Sequence, residues 1–317
     1  MPVKDIEFQS VEDVIQQIRD MNVKGGSPFG RAAAWAFRLC CEQEKFPDRE
    51  SFYARLEDIA QQMIALKPTM ATIENVRRLV TLAFDSMPQD ARPEEIAEAV
   101  RNVCLRIIEH SFAAVDALGR FGSHLIFDGA TVMMHSYSSA LMSVFEHAAR
   151  GGKTFQVICT ESRPLRESRL AVKMLRDMDV KVTYITDAEI WEFLPHADLV
   201  IMGADTIGWD GSVANKMGTA MVSQLALACK KPVYIASELF KLDQRTAEGM
   251  PIMLERRSHD EVVESDDFEG RDGVEVINQF FDLTPASQIR GLITELGVIA
   301  PATVSLYWDR VEKELLQ

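Results

Sequence analysis

The chain changes rhythm near residue 121, and that change limits what it can fold into. Before it, apolar residues recur only at helical spacing. Val11, Val14, Ile15 and Ile18 open the pattern, and Lys24-Gly25-Gly26-Ser27-Pro28 interrupts it. Further helices are expected over 31–43, 52–66 and 73–84, with Pro68 ending the second of these. Another starts at Pro93 and runs through Ile96, Val100, Cys104, Ile107 and Phe112 towards Leu118. After Phe121, short apolar runs alternate with helical patterns. Strands are expected over 131–135, 154–160, 181–186, 198–202 and 232–236, and helices over 140–150, 170–178, 188–194 and about 216–228. That alternation predicts an α/β fold whose mostly parallel sheet carries helices on both faces. The expected division is a helical domain over 1–121 and an α/β domain over 122–317. The stretch 258–275 is acidic and weakly apolar, and reads as a surface loop.

Charge and cysteine content narrow the partners. The chain has 317 residues, with 34 Lys plus Arg against 48 Asp plus Glu, a formal net charge of −14. Nucleic acid is excluded as the main partner, because binding it needs clustered Lys and Arg. An anionic small molecule is not excluded, since a local pocket can oppose the global sign. No apolar run approaches the ~20 residues of a membrane-spanning helix. The five cysteines, Cys40, Cys41, Cys104, Cys159 and Cys229, form no CxxC and no zinc-ligand spacing, so free thiols in a reducing cytoplasm and no metal are expected. The first residues carry no secretion pattern, which fits a cytoplasmic location.

Ligands of open parallel sheets bind beyond the carboxyl ends of the strands. The residues that follow the five expected strands are His135 to Ser138, Glu161 to Arg163, Asp187, Gly203 to Asp205, and Ser237 to Glu238 with Lys241. Polar and charged side chains therefore gather at one sheet edge. The stretch from Gly203 to Thr219 is the most informative. Its glycines permit close backbone approach, its following helix start offers free N–H groups, and Lys216 adds a cation, a combination suited to phosphate. It is neither a P-loop nor a dinucleotide fingerprint, so hydride transfer with a nicotinamide cofactor is disfavoured. Cys104 and Cys159 read as core residues, His135 as a buried support beneath Ser136, and Arg256-Arg257 as a solvated surface pair.

Several motifs in this order carry a resemblance. Thr160-Glu161-Ser162-Arg163-Pro164, Gly203-Ala204-Asp205 with Asn215-Lys216-Met217-Gly218-Thr219, Glu238-Leu239-Phe240-Lys241, and Phe281-Asp282-Leu283-Thr284-Pro285 followed by Ile293-Thr294-Glu295-Leu296-Gly297 span most of the chain. Lys67-Pro68-Thr69-Met70-Ala71 adds a weaker match. Together they resemble the family shared by the alpha, beta and delta subunits of eukaryotic translation initiation factor 2B, methylthioribose-1-phosphate isomerase and archaeal ribose-1,5-bisphosphate isomerase. The resemblance implies a helical lobe before a Rossmann-like domain, a homodimer or larger symmetric assembly, and, in the isomerase branches, conversion of an aldose 1-phosphate to a ketose phosphate without a cofactor. It implies a catalytic role for Asp205. It also implies substrate or phosphate contacts from Lys24, Gly25, Gly26, Arg163, Asn215, Lys216 and Lys241.

One position departs from the pattern. The isomerases carry a catalytic cysteine after the first sheet strand, where this chain has Ser136. A thiol gives or loses a proton near neutrality, whereas a serine hydroxyl needs an adjacent base. The resemblance therefore supports two functions. One is an isomerase acting on ribose 1,5-bisphosphate or a related pentose 1-phosphate, with Ser136 and Asp205 as its acid/base pair. The other is a non-catalytic regulatory or binding subunit that senses a sugar phosphate or nucleotide, as Tyr137-Ser138 after His135-Ser136 resembles the initiation-factor branch.

Overall fold

Five helices occupy the chain up to residue 123, and local chemistry sets their starts. They are α1 (Val11–Arg19), α2 (Gly26–Gln43), α3 (Arg49–Leu66), α4 (Ala71–Asp85) and α5 (Pro93–Ser123). Ser10 caps α1 by accepting the Asp13 N–H, and Asp48 caps α3 by accepting the Ser51 N–H. α2 begins five residues earlier than the pattern predicts. Gly26, Ser27 and Pro28 form its first turn, where the missing proline N–H costs nothing. The computed structural model describes residues 6–264, 267–268 and 273–317. The first five residues and, within the acidic stretch expected as a loop, 265–266 and 269–272 lie outside the described residues.

The second part alternates as expected: β1 (Thr131–Met134), α6 (Ser139–Arg150), β2 (Gln156–Thr160), α7 (Ser168–Asp177), β3 (Lys181–Ile185), a one-turn α8 (Ile190–Phe193) and β4 (Leu199–Gly203). Beyond β4 the structure departs from the sequence reading. β5 (Thr206–Ile207) and β6 (Val213–Lys216) come before α9 (Thr219–Ala228), so Lys216 ends a strand rather than starting a helix. Then follow β7 (Val233–Ala236), β8 (Phe281–Thr284), β9 (Gly291–Thr294), β10 (Gly297–Ile299) and α10 (Trp308–Leu316).

The main sheet has the order β10-β9-β7-β4-β1-β2-β3, parallel except for the antiparallel β9–β10 pair. β5, β6 and β8 form a separate antiparallel sheet. Alternate residues of the main strands face opposite ways. Met133, Ile158, Val200, Ile235 and Leu292 join the core of the five-helix lobe, whereas Val132, Val157, Cys159, Ile201 and Ile293 join a second core under α6 and α7. The chain runs outward through β1, β2 and β3, then returns to place β4 on the other side of β1. That reversal is a topological switch point, where the loops leaving β1 and β4 part and open a crevice.

Candidate functional site

The crevice at the switch point is a cleft of about 670 Å³ between the helical lobe and the carboxyl ends of the sheet. Six sequence-predicted site residues line it: Lys24, Gly25, Ser136, Asp205, Asn215 and Lys216. Ser136 follows β1 with a left-handed backbone, φ 65°, a conformation that costs a non-glycine residue about 1 kcal/mol or more. The turn brings Ser136, with its hydroxyl, to the wall of the cleft. No base lies within hydrogen-bond distance of that hydroxyl among the described residues. Asp205 follows β4, and Gly203 lets the two loops meet: a Cβ there would fall 2.5 Å from the Ser138 Cβ. Gly26 plays the same part from the lobe side, where a Cβ would come within 3.0 Å of the Asp205 carbonyl oxygen and the Lys241 Cε.

The Asp205 carboxyl has no hydrogen bond or ion pair within 4 Å among the described residues. Burial pushes its pKa up, against the pull of Lys241 and Lys216. Lys241 lies beneath the floor of the cleft rather than in it, 2% exposed, with Nζ donating to the Ala204 carbonyl at 2.8 Å. It supports the Asp205 loop from behind. His135 is likewise buried. Its Nε2 lies 2.8 Å from the Met217 carbonyl, which can only accept, so Nε2 carries the hydrogen and Nδ1 accepts from the Thr160 hydroxyl at 2.7 Å. Burial pulls its pKa down, and it sits as a neutral strut under Ser136.

β6 delivers Asn215 and Lys216. The Lys216 ammonium lies 2.6 Å from Glu167 Oε1 and 3.1 Å from the centre of the Phe280 ring, and burial lowers its pKa. The expected phosphate cradle at the start of the next helix is already filled. Asp282 Oδ2 accepts the N–H groups of Gly218 at 2.7 Å and Ala220 at 3.1 Å, so the α9 N-terminus is closed by a protein carboxylate. Burial raises the Asp282 pKa to about 6. Only the Lys216 part of that expectation reaches the cleft.

Arg163 is placed elsewhere. Its backbone N–H binds Asp187, its guanidinium donates to the Val262 carbonyl, and it does not line the cleft. The same loop supplies Arg166, Glu167 and Arg169 to the cleft instead. Arg257 needs a correction: it is not a solvated surface residue. It is 14% exposed at its side chain, pairs with Glu261, stacks over Phe280 at 4.5 Å and lines the cleft, while Arg256 is exposed. Lys67 and Glu255 complete the wall as a pair at 3.5 Å, and burial lowers the Lys67 pKa. Two carboxylate oxygens here, Glu167 Oε2 and Glu255 Oε2, are buried without a hydrogen-bond partner. Arg166 to Arg169 were within reach of sequence reasoning, since they extend the motif after β2. Lys67 was too, as the first residue of the weakest motif. Glu255 and Arg257 carried no signal, because only the fold returns their loop to the cleft.

The cleft thus combines cations able to hold an anion with two carboxylates that each have one oxygen without a donor. That pairing suits a ligand with both phosphate and hydroxyl groups. Among the described residues, no cluster of His, Cys, Asp and Glu could hold a metal ion, and no helix is long and apolar enough to cross a membrane.

Known proteins resemble the chain along most of its length. A profile described as the Initiation factor 2 subunit family matches residues 22–301. The chain is 32% identical to the ribose 1,5-bisphosphate isomerase of Methanocaldococcus jannaschii, over 99% of this chain and 98% of that one. It is 31% identical to a putative translation initiation factor eIF-2B subunit 2-like protein of Pyrococcus furiosus, over 92% and 97% respectively. Among solved structures it is similar to the translation initiation factor eIF-2B of Pyrococcus horikoshii, with a TM-score of 0.78, 27% identity and coverage of 92% of this chain and 97% of the other.

Proposed function

Since the chain belongs to the Initiation factor 2 subunit family, we propose that it is a sugar-phosphate aldose–ketose isomerase, with ribose 1,5-bisphosphate or a related pentose 1-phosphate as substrate. The observation that carries this reading is the juxtaposition in one cleft of Lys24, Lys67, Arg166, Arg169, Lys216 and Arg257 with Glu167 and Glu255, each of which has one buried oxygen without a protein donor. Phosphate oxygens satisfy the cations, and sugar hydroxyls satisfy the carboxylates. Asp205 is the carboxyl group at the reacting carbons. Burial favours its protonated form, which makes it able to give a proton. Ser136, at the position where the family's isomerases carry cysteine, donates its hydroxyl to a sugar oxygen. A cytoplasmic setting and a symmetric homo-oligomer belong to the same reading, and sedimentation of the purified protein tests the latter.

One observation favours a second reading. Ser136 has no base within reach, as expected of a subunit that binds a sugar phosphate or nucleotide without turning it over. The two are separated by incubating the protein with ribose 1,5-bisphosphate, methylthioribose 1-phosphate and ribose 1-phosphate while following ketose formation and thermal stability. Turnover of one of them, lost by at least about 100-fold in Asp205→Asn, supports the isomerase. Thermal stabilisation without turnover by any of the three leaves the binding subunit.

A further inference from the structure

We infer that Glu167, rather than Ser136, is the acid/base partner of Asp205, and that it holds the C2 hydroxyl of the sugar. The inference rests on the isomerase reading above and assigns the group which that reading lacks. Four observations carry it. Glu167 lines the same cleft as Asp205. Its Oε1 is held 2.6 Å from Lys216 Nζ, so the carboxylate has a fixed position and a counter-ion. Its Oε2 is buried with no donor, although a carboxylate oxygen withdrawn from water needs one. The alternatives are weaker: among the described residues the Ser136 hydroxyl has no base beside it, Cys159 is buried in the core beneath the sheet and absent from the lining, and Glu255, whose Oε2 also lacks a donor, is held by Lys67 only at 3.5 Å.

The chemistry balances with these two carboxyl groups alone. In a sugar 1-phosphate, C1 is closed to the ring oxygen and carries the phosphate, so ring opening needs an acid. Protonated Asp205 gives its proton to the ring oxygen as the bond from C1 to that oxygen breaks, leaving C1 electron-deficient. The hydrogen on C2 moves to C1 with its electron pair, so C1 is reduced and C2 oxidised. The C2 hydroxyl gives its proton to Glu167 as C2 becomes a carbonyl. Asp205 ends ionised and Glu167 protonated, and exchange with water restores both. No outside oxidant is needed, because the hydride stays within the sugar. The two roles match two environments: Asp205 has no ion pair, and Glu167 has a lysine at contact distance.

The test compares wild type with Glu167→Gln, Glu167→Asp and Ser136→Ala by ketose formation from ribose 1,5-bisphosphate across pH 5 to 9. The folding of each variant is confirmed by its melting curve. Glu167→Gln is expected to lower kcat by at least about 100-fold with a much smaller change in KM. Glu167→Asp is expected to recover part of the rate. Ser136→Ala is expected to lose much less rate than Glu167→Gln. A second measurement does not depend on turnover. Wild type is expected to bind ribose 1-phosphate more tightly than 2-deoxyribose 1-phosphate, and Glu167→Ala to lose that preference. Turnover by wild type with a Glu167→Gln rate within about threefold overturns the base role and leaves the isomerase standing. Absence of turnover by wild type overturns both. A preference for the 2-hydroxyl that survives Glu167→Ala overturns the contact.

Discussion

Replacing Glu295 with glutamine is expected to make the protein more stable at pH 8 and to leave it nearly unchanged at pH 5. The side chain follows β9 and is 7% exposed. Both its oxygens face the Leu239 N–H, at 3.2 and 3.1 Å, and the His110 imidazole Nε2 stands 3.9 Å from one of them. Burial lifts its pKa from the ordinary 4.5 to about 8, with its backbone hydrogen bonds opposing and the nearby Glu238 carboxylate adding to the rise. Between these two values the unfolded chain has released a proton that the folded chain still holds, so stability falls as pH rises. The penalty is absent below about pH 4.5 and complete above about pH 8. Each pH unit in that interval is worth about 1.4 kcal/mol, which gives roughly 5 kcal/mol as an upper bound. Glutamine keeps the volume and an acceptor for the Leu239 N–H but has no proton to lose. Urea unfolding followed by circular dichroism at pH 5, 6, 7, 8 and 9 measures the difference. The two proteins are expected to lie within about 1 kcal/mol at pH 5 and to diverge by at least about 2 kcal/mol at pH 8.5, the variant being the more stable. Parallel stability curves, or a variant that is weaker at every pH, would refute the argument that this carboxyl is held protonated by burial.

Two further perturbations test the frame of the cleft. Gly203→Ala drives a Cβ to within 2.5 Å of the Ser138 Cβ and 2.6 Å of its Oγ, and Ser138 cannot swing away because it caps α6. A loss of about 1–3 kcal/mol is expected in thermal melts, together with reduced ketose formation because the same loop holds Ser136; unchanged melting would show that the two loops can part freely. Asp282→Ala removes the acceptor of the Gly218 and Ala220 N–H groups, so a loss of about 1–2 kcal/mol is expected in urea unfolding at pH 7. An unaffected midpoint there would mean that water caps α9 equally well.

Much of the fold was legible because it rests on local periodicity. Val11, Val14, Ile15 and Ile18 repeat at helical spacing, and each is buried in α1. The parallel strands β1, β2, β3, β4 and β7 are short apolar runs between helices, and each lies where the alternation placed it. The strands that went unread have no such signature. β5 is two residues long, and β6 lies inside a glycine-rich stretch whose pairing is set by Phe281 to Thr284, well over sixty residues away. Lys216 therefore looked like a helix start, when its partner strand makes it the end of a ribbon.

The candidate site divides along the same line. Strand ends and glycines are written in the local sequence, so Ser136, Asp205 and Lys216 were singled out from the chain alone, with Lys24, Gly25 and Asn215 added by the resemblance. Which charges face them depends on contacts between distant segments. Arg163 follows a strand end yet points to Val262, while Arg257, which reads as a surface residue, turns inward over Phe280. Glu167 and Lys216 are far apart in sequence but meet at 2.6 Å. By itself the sequence determined the helical lobe, the parallel sheet and the sheet edge at which the cleft opens, because periodicity and strand order act through near neighbours. Only the tertiary structure decided which cations and carboxylates share the cleft, because burial and ion pairing depend on what the rest of the chain brings within a few ångströms.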